Sequence, residues 1–290
     1  MKKLALATIP LLLLLSACAE RDPDAGAAGQ EQRYEATGTV LQSPAHGPEL
    51  CLGGVLDSLP PECKGLPIRN WRWDQVTGEE SRGGTIWGVY QLMGTYDGTS
   101  FTVIRADRPR SAPRPSAAER FKDEPKSPCP IPAGGWPVPD KATATEADLR
   151  ATLRAAQAEP DFAGTWLSYL EPMGGNVAEE PGEFVLNVAF TGDLERHEAD
   201  LRTRWGGRLC VTRQHRTMSR LHQIQDELMG AVGKDLGLRV LSTGLSDDEN
   251  SVHLEVLVLD EQARRAIQAR YGAGAVRATA ILTPVRQAAG

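Results

Sequence analysis

The stretch Val252-His253-Leu254-Glu255-Val256-Leu257-Val258-Leu259 runs into Asp260-Glu261-Gln262-Ala263, and the following helical run closes at Tyr271-Gly272 before Val276-Arg277-Ala278-Thr279-Ala280-Ile281-Leu282. In the first segment Val252, Leu254, Val256 and Val258 alternate onto one face, which is the period of a strand. Asp260 is a helix-capping residue type, and Gly272 lets the chain leave the helix. Val276, Ala278, Ala280 and Leu282 then alternate again. The reading is strand, helix, strand.

Working upstream, Leu238–Thr243 predicts a hairpin partner for Val252–Leu259, turning at Asp247-Asp248-Glu249-Asn250. That tetrapeptide lacks the ligand spacing and central glycine of an EF-hand, so it reads as a solvated turn. Thr217 opens a helix with Leu221, Ile224, Leu228 and Val232 as its buried stripe. Leu209-Cys210-Val211 reads as a short strand. Asp193 can cap a helix that turns Leu194, Leu201 and Trp205 to one side, with Glu198/Arg202 and Asp200/Arg204 as i,i+4 pairs. Phe184–Phe190 is a strand, and Thr145-Glu146-Ala147-Asp148 resembles a capping box ahead of Leu149 and Leu153. The order β-α-β-α-β-β-α-β over residues 142–286 predicts an α+β domain of one sheet with helices packed on it.

Residues 33–106 read differently. Tyr34–Leu41, Thr85–Met93 and Ser100–Ile104 are rich in strand formers, and Asp97-Gly98 between the last two is a hairpin signal. About 70 residues with four or five strands suit a small all-β barrel, with an OB-like one as the candidate type. Trp71, Trp73, Trp87, Tyr90, Tyr96 and Phe101 crowd into 31 residues. Flat faces with polar tips suit either a barrel core or a platform for a sugar ring or a partner side chain, with Trp71, Trp73, Trp87 and Tyr90 as its residues. Trp87 and Tyr90 fall on opposite faces of their strand. The expected fold is therefore α+β overall, a small β domain followed by an α+β domain. Nine of the 20 prolines lie between Pro109 and Pro139, which predicts an extended joint over 107–141. Cys129 and Trp136 suggest that part of this joint lies on a surface.

The N-terminus reads Met1-Lys2-Lys3 and then an apolar run from Leu4 to Leu15, the n- and h-regions of an export signal. The run is too short to span a bilayer. It ends in Leu15-Ser16-Ala17-Cys18, which resembles the lipobox of bacterial lipoproteins. The resemblance implies removal of residues 1–17, a diacylglyceryl group on Cys18, and residence at the outer face of the cytoplasmic membrane. Residues 18–32 carry no large apolar side chain before Tyr34 and read as a tether, and 287–290 as a tail. Only seven of the 32 basic residues are lysine, a bias of GC-rich, actinobacterial-type genomes. Four cysteines remain. Cys51 and Cys63 lie close around a turn-rich stretch and pair first, leaving Cys129 for Cys210, which would pin the joint to the second domain. A metal site is the alternative for these four, with no CxxC to support it.

Net charge is −6 and no basic patch dominates, which argues against nucleic acid as a partner. There is no GxSxG elbow and no Walker loop. Gly272-Ala273-Gly274 follows a helix where a dinucleotide loop follows a strand, with Arg277 at the third glycine position, so no cofactor is expected. His197-Glu198 lacks the second histidine of a zincin, and His215 and His222 read as ordinary surface or half-buried histidines, so no metal is expected. Phe162-Ala163-Gly164-Thr165-Trp166-Leu167, Phe184–Thr191 and Asn250–Val256 with its following helix together resemble the prosegments of secreted α-lytic-type proteases. That resemblance implies a protein-binding fold over roughly 160–285 and assigns no residue a role. Three functions follow as expectations. The first is an envelope-anchored binding or interaction module, with an envelope protein or glycan as partner. The second is an enzyme whose site gathers scattered groups such as Asp97, His197 or His253. The third is a spacer.

Overall fold

In the computed structural model, the described residues are 31–53, 58–109, 122, 124–137, 139–171 and 183–285. The signal, Cys18 and most of the expected tether lie outside them, as do residues 110–121 of the joint and the 287–290 tail.

Six strands build the first half: β1 (Arg33–Ser43), β2 (His46–Cys51), β3 (Gly65–Arg69), β4 (Glu80–Arg82), β5 (Thr85–Tyr96) and β6 (Phe101–Asp107). Five of them close into a barrel in the order β1-β2-β3-β6-β5 and back to β1, and β4 is a short arm on β5. All neighbours are antiparallel except β3 and β6, which run parallel. Val40, Leu50, Leu66, Tyr90, Leu92 and Phe101 fill the interior. The β5–β6 hairpin falls where Asp97-Gly98 marks it, but its connection spans four residues. Asp97 accepts bonds from the Thr99 and Ser100 amides, both at 2.8 Å, and so holds a wider turn than a two-residue primed one.

The second half comprises α1 (Glu146–Gln157), β7 (Phe162–Tyr169), β8 (Phe184–Phe190), α2 (Leu194–Arg202), β9 (Leu209–Arg213), α3 (Met218–Met229), α4 (Ala231–Asp235), β10 (Val240–Ser246), β11 (Ser251–Val258), α5 (Glu261–Tyr271) and β12 (Val276–Pro284). Its strands do not form the one expected sheet. They split into β7-β8-β9 and β10-β11-β12, because β7 is an additional strand that supplies a second hairpin. Gly164 and a register shift after Phe162 break its alternation, so period alone does not reveal it.

The two sheets are copies of one plan. Each unit opens with a threonine-capped helix, makes an antiparallel hairpin, and crosses by a helix to a strand parallel to the second hairpin strand. Thr145 and Thr217 each accept a bond from the amide three residues on, at 3.2 Å. Asp260 caps its crossover helix by accepting from the Ala263 amide at 2.6 Å, whereas Asp193, expected to do the same, makes no capping bond: it sits at φ +44° and accepts instead from the Arg196 guanidinium at 3.0 Å. Leu201…Arg204-Trp205-Gly206 in the first unit corresponds to Ile267…Arg270-Tyr271-Gly272 in the second. Trp205 and Tyr271 are both buried under their sheets. The sequence carries this duplication of an αββαβ unit only as a spacing of sparse identities, which the period and cap reading does not disclose.

The described residues from Arg33 onward cluster as one compact unit, with no division at the proline-rich joint. Tyr34 and Glu35 of β1 pair with Pro284 and Thr283 of β12, making one nine-stranded sheet from the barrel and the second unit. Leu257 and Leu282 belong to the barrel core.

The first unit's sheet is covered on both faces. Phe184, Leu186, Val188 and Phe190 pack against α1 and α2, while Val185, Asn187 and Ala189 point the other way and are equally buried. Cys210 stands beside Asn187 on that second face and is bonded to Cys129. The Trp166 indole N–H donates to the Lys126 carbonyl at 3.5 Å. The described part of the joint is thus a strap tied across the sheet.

Candidate binding site

Cys51 is bonded to Cys63 and Cys129 to Cys210, as the spacing predicts. Two such bridges fit an oxidising, extracytoplasmic compartment. Among the described residues no helix is long and apolar enough to cross a membrane.

The aromatic group divides. Trp71, Trp73 and Tyr90 meet edge to face, with ring centroids 5.0–6.2 Å apart, over one end of the barrel. Tyr90 points inward above Gly88, where a Cβ would stand 2.7 Å from its hydroxyl, so only glycine leaves room. Burial raises the Tyr90 phenol above its ordinary pKa, and Glu79 adds to the effect. The Trp73 indole donates to Gln42 at 2.8 Å. The Trp71 indole N–H and the Tyr90 hydroxyl are buried without a hydrogen-bond partner. Trp87 lies apart from this cluster and lines a separate groove of about 400 Å³ beside Val89 and Arg108.

The histidines and Asp97 do not assemble. Asp97 sits in its exposed turn, 3.4 Å from Arg69, and the Thr99 and Ser100 hydrogen bonds hold its carboxyl far below the usual carboxylate range. His253 pairs with Glu249 at 2.7 Å. His197 is buried, lies flat on Phe190 with ring centroids 3.6 Å apart, and places Nε2 3.0 Å from Asp161. Glu159, Asp161 and His197 have the spacing of metal ligands. However, the Arg196 guanidinium reaches Glu159 at 2.9 Å and lies 3.0 Å from His197 Nε2. A fixed cation already neutralises the cluster, and its evident work is to lock α2 onto the end of β7.

The turn Asp247–Asn250 is the main departure from the sequence reading. It does turn the β10–β11 hairpin, but it is docked and not simply solvated. Asn250, at φ +50°, is 1 % exposed. Its oxygen accepts from the Arg216 amide at 2.9 Å, and its amide nitrogen donates to the carbonyls of Arg216 at 2.8 Å and Ala163 at 3.2 Å. Asp247 accepts from the Thr165 amide at 2.8 Å, and Gln214 donates to the Asp248 carbonyl at 3.1 Å. Gly164, at φ +147°, lies so close that a Cβ there would stand 3.1 Å from that of Asp247. The turn therefore holds the two units together.

Above this seam opens a cleft of about 710 Å³, bounded by the end of α1, the start of α3 and the end of β10. That is within the range of ligand sites. Glu159, His222 and Asp247 line it with the apolar Phe162, Met218 and Leu245. Burial pushes the Asp247 carboxyl above its ordinary pKa, and neighbouring Asp248 pushes the same way, against the opposing Thr165 bond and the His222 ring. Sequence reasoning missed this cleft, because its residues span 157–247 and share no motif. No family model matches the chain, and no curated protein matches it.

Proposed function

We propose that the protein is a lipid-anchored binding protein of the bacterial envelope, carried on Cys18 at the outer face of the cytoplasmic membrane. The observation that carries this reading is the pair of disulfides, which suits a chain built to work outside the cytoplasm. The lipobox pattern Leu15-Ser16-Ala17-Cys18 supports the anchor, since two acyl chains suffice for stable attachment where one is marginal. The strand order of the barrel, with β3 parallel to β6 and β5 returning to β1, supports an OB-type barrel, an architecture that commonly binds extended ligands. The cleft between the units supports a binding role over a spacer.

Palmitate labelling and fractionation test the anchor. Wild type takes the label and sediments with membranes, whereas Cys18→Ala loses the label and is released. Membrane retention of the unlabelled Cys18→Ala protein would remove the anchor. Crosslinking in the native envelope tests the partner class. A stoichiometric protein partner supports an interaction module, and a glycan lost on Trp71→Ala or Trp73→Ala supports the barrel aromatics instead. Binding of the prosegment kind makes a separate demand: the mature protein should inhibit at least one secreted trypsin-like protease in a panel.

A further inference from the structure

The cleft between the units selects its occupant by charge. Phe162, Met218 and Leu245 give it an apolar wall, Glu159 and Asp247 give it carboxylates, and no lysine or arginine is among its described lining residues. Glu159 is already bonded to Arg196 at 2.9 Å. Asp247 receives one neutral bond, from the Thr165 amide at Oδ2, and among the described residues it faces no arginine or lysine partner, the His222 ring being the one basic group that shares the cleft with it. It is the carboxylate left over, part-buried and beside another acid, Asp248. A carboxylate kept in that setting is stabilised by a cation brought to it.

The second observation concerns the strand that enters the cleft. β10 is the outermost strand of the nine-stranded sheet. Ser242-Thr243-Gly244-Leu245-Ser246 carries no charge and no proline, the usual guards of an exposed edge. A Cβ built on Gly244 meets nothing within 4 Å. Leu245 and Asp247 both line the cleft, so the regular part of this edge, beyond the register shift at Val240–Ser242, leads into the acidic site.

We propose that the cleft receives the arginine or lysine side chain of an extended segment of a partner protein, which lies along the outer edge of β10. The backbone of that segment supplies strand pairing, and the side chain supplies specificity. Its methylene stem packs on Phe162, Met218 and Leu245 while its cationic head meets Asp247. This names the partner chemistry for the binding role proposed above and rests on it.

The test uses the mature protein in detergent and titrates three probes calorimetrically: the blocked peptide Thr-Val-Arg-Val-Thr, the same peptide with glutamate in place of arginine, and arginine amide. The arginine peptide is expected to bind about tenfold or more tightly than either other probe. Asp247→Asn, which keeps an oxygen for the Thr165 amide, is expected to weaken it about tenfold. Ser219→Lys, an exposed change that sets a competing cation on the cleft wall, is expected to abolish it. Equal binding of the two peptides, arginine amide as tight as the peptide, no binding by any probe, or full binding by either variant would each overturn the proposal. An envelope partner that both variants crosslink as well as wild type does would overturn the cleft and leave the binding role standing. Absence of any partner or ligand would remove that role itself.

Discussion

Asn250 and Asp247 sit three positions apart in one turn and answer opposite demands. Asn250 is a structural fastener. Its left-handed backbone suits asparagine better than most residues, and its side chain satisfies three backbone groups of two other segments. Asn250→Ala leaves those groups without partners and adds backbone strain. It should cost about 3 kcal/mol, read as a lowered denaturation midpoint at unchanged slope. Asp247 is a stability liability. Its pKa is raised on folding, so the native state binds the proton more tightly than the unfolded state does. Its penalty is absent below the ordinary carboxylate pKa, grows as pH rises towards the folded value, and is complete above it. Asp247→Asn should therefore raise the melting temperature at pH 7, and the gain should vanish near pH 3. The gain is small, because the group is part-exposed and screened. A gain independent of pH would show that some effect other than ionisation is at work. A carboxylate retained at such a cost is what a site held for a cationic ligand requires.

Elements differ in how far their residues announce them. The Thr145 capping box, the β8 strand, the Thr217-capped helix and the β11–α5–β12 run are legible because period, cap and terminator agree within one segment. β7 is not, because its glycine and register shift are demanded by a turn that packs on it from more than 80 residues away. The strap is half legible: prolines exclude regular structure and Cys129 implies an attachment, but the sheet face it covers appears only once Asn187 and Cys210 are neighbours. Its bridge joins residues 81 apart, against 12 for Cys51–Cys63. Loop entropy then assigns it about 4.5 kcal/mol, compared with about 3 kcal/mol for the shorter one. Replacing Cys129 and Cys210 together by alanine should destabilise more than the same change at Cys51 and Cys63. It should also open a proteolytic site within 124–137 of the native protein. Unchanged protease resistance would mean that the strap holds without its bridge.

At the scale of the molecule, the barrel and the two αββαβ units share structure that no single segment encodes. Composition and a proline-rich joint predict two bodies, yet β12 closes onto β1 and Leu282 is wholly buried among barrel residues. The joint bypasses this contact because it connects the halves in sequence, while the contact connects the first described strand to the last. Whether the halves unfold together follows from the burial of Leu257 and Leu282, since an apolar seam of this kind couples whatever it joins. Leu282→Ala should cost about 3 kcal/mol. More tellingly, it should lower the transition of both halves equally. The five α-helices α1–α5 lie between 146 and 271, so far-UV circular dichroism chiefly follows the second half, while pulsed hydrogen exchange of peptides from 33–107, read by mass spectrometry, follows the first. Coincident transitions in wild type that shift together in Leu282→Ala establish one cooperative unit. Two transitions, of which the substitution moves only one, would restore the reading of two domains joined at the prolines.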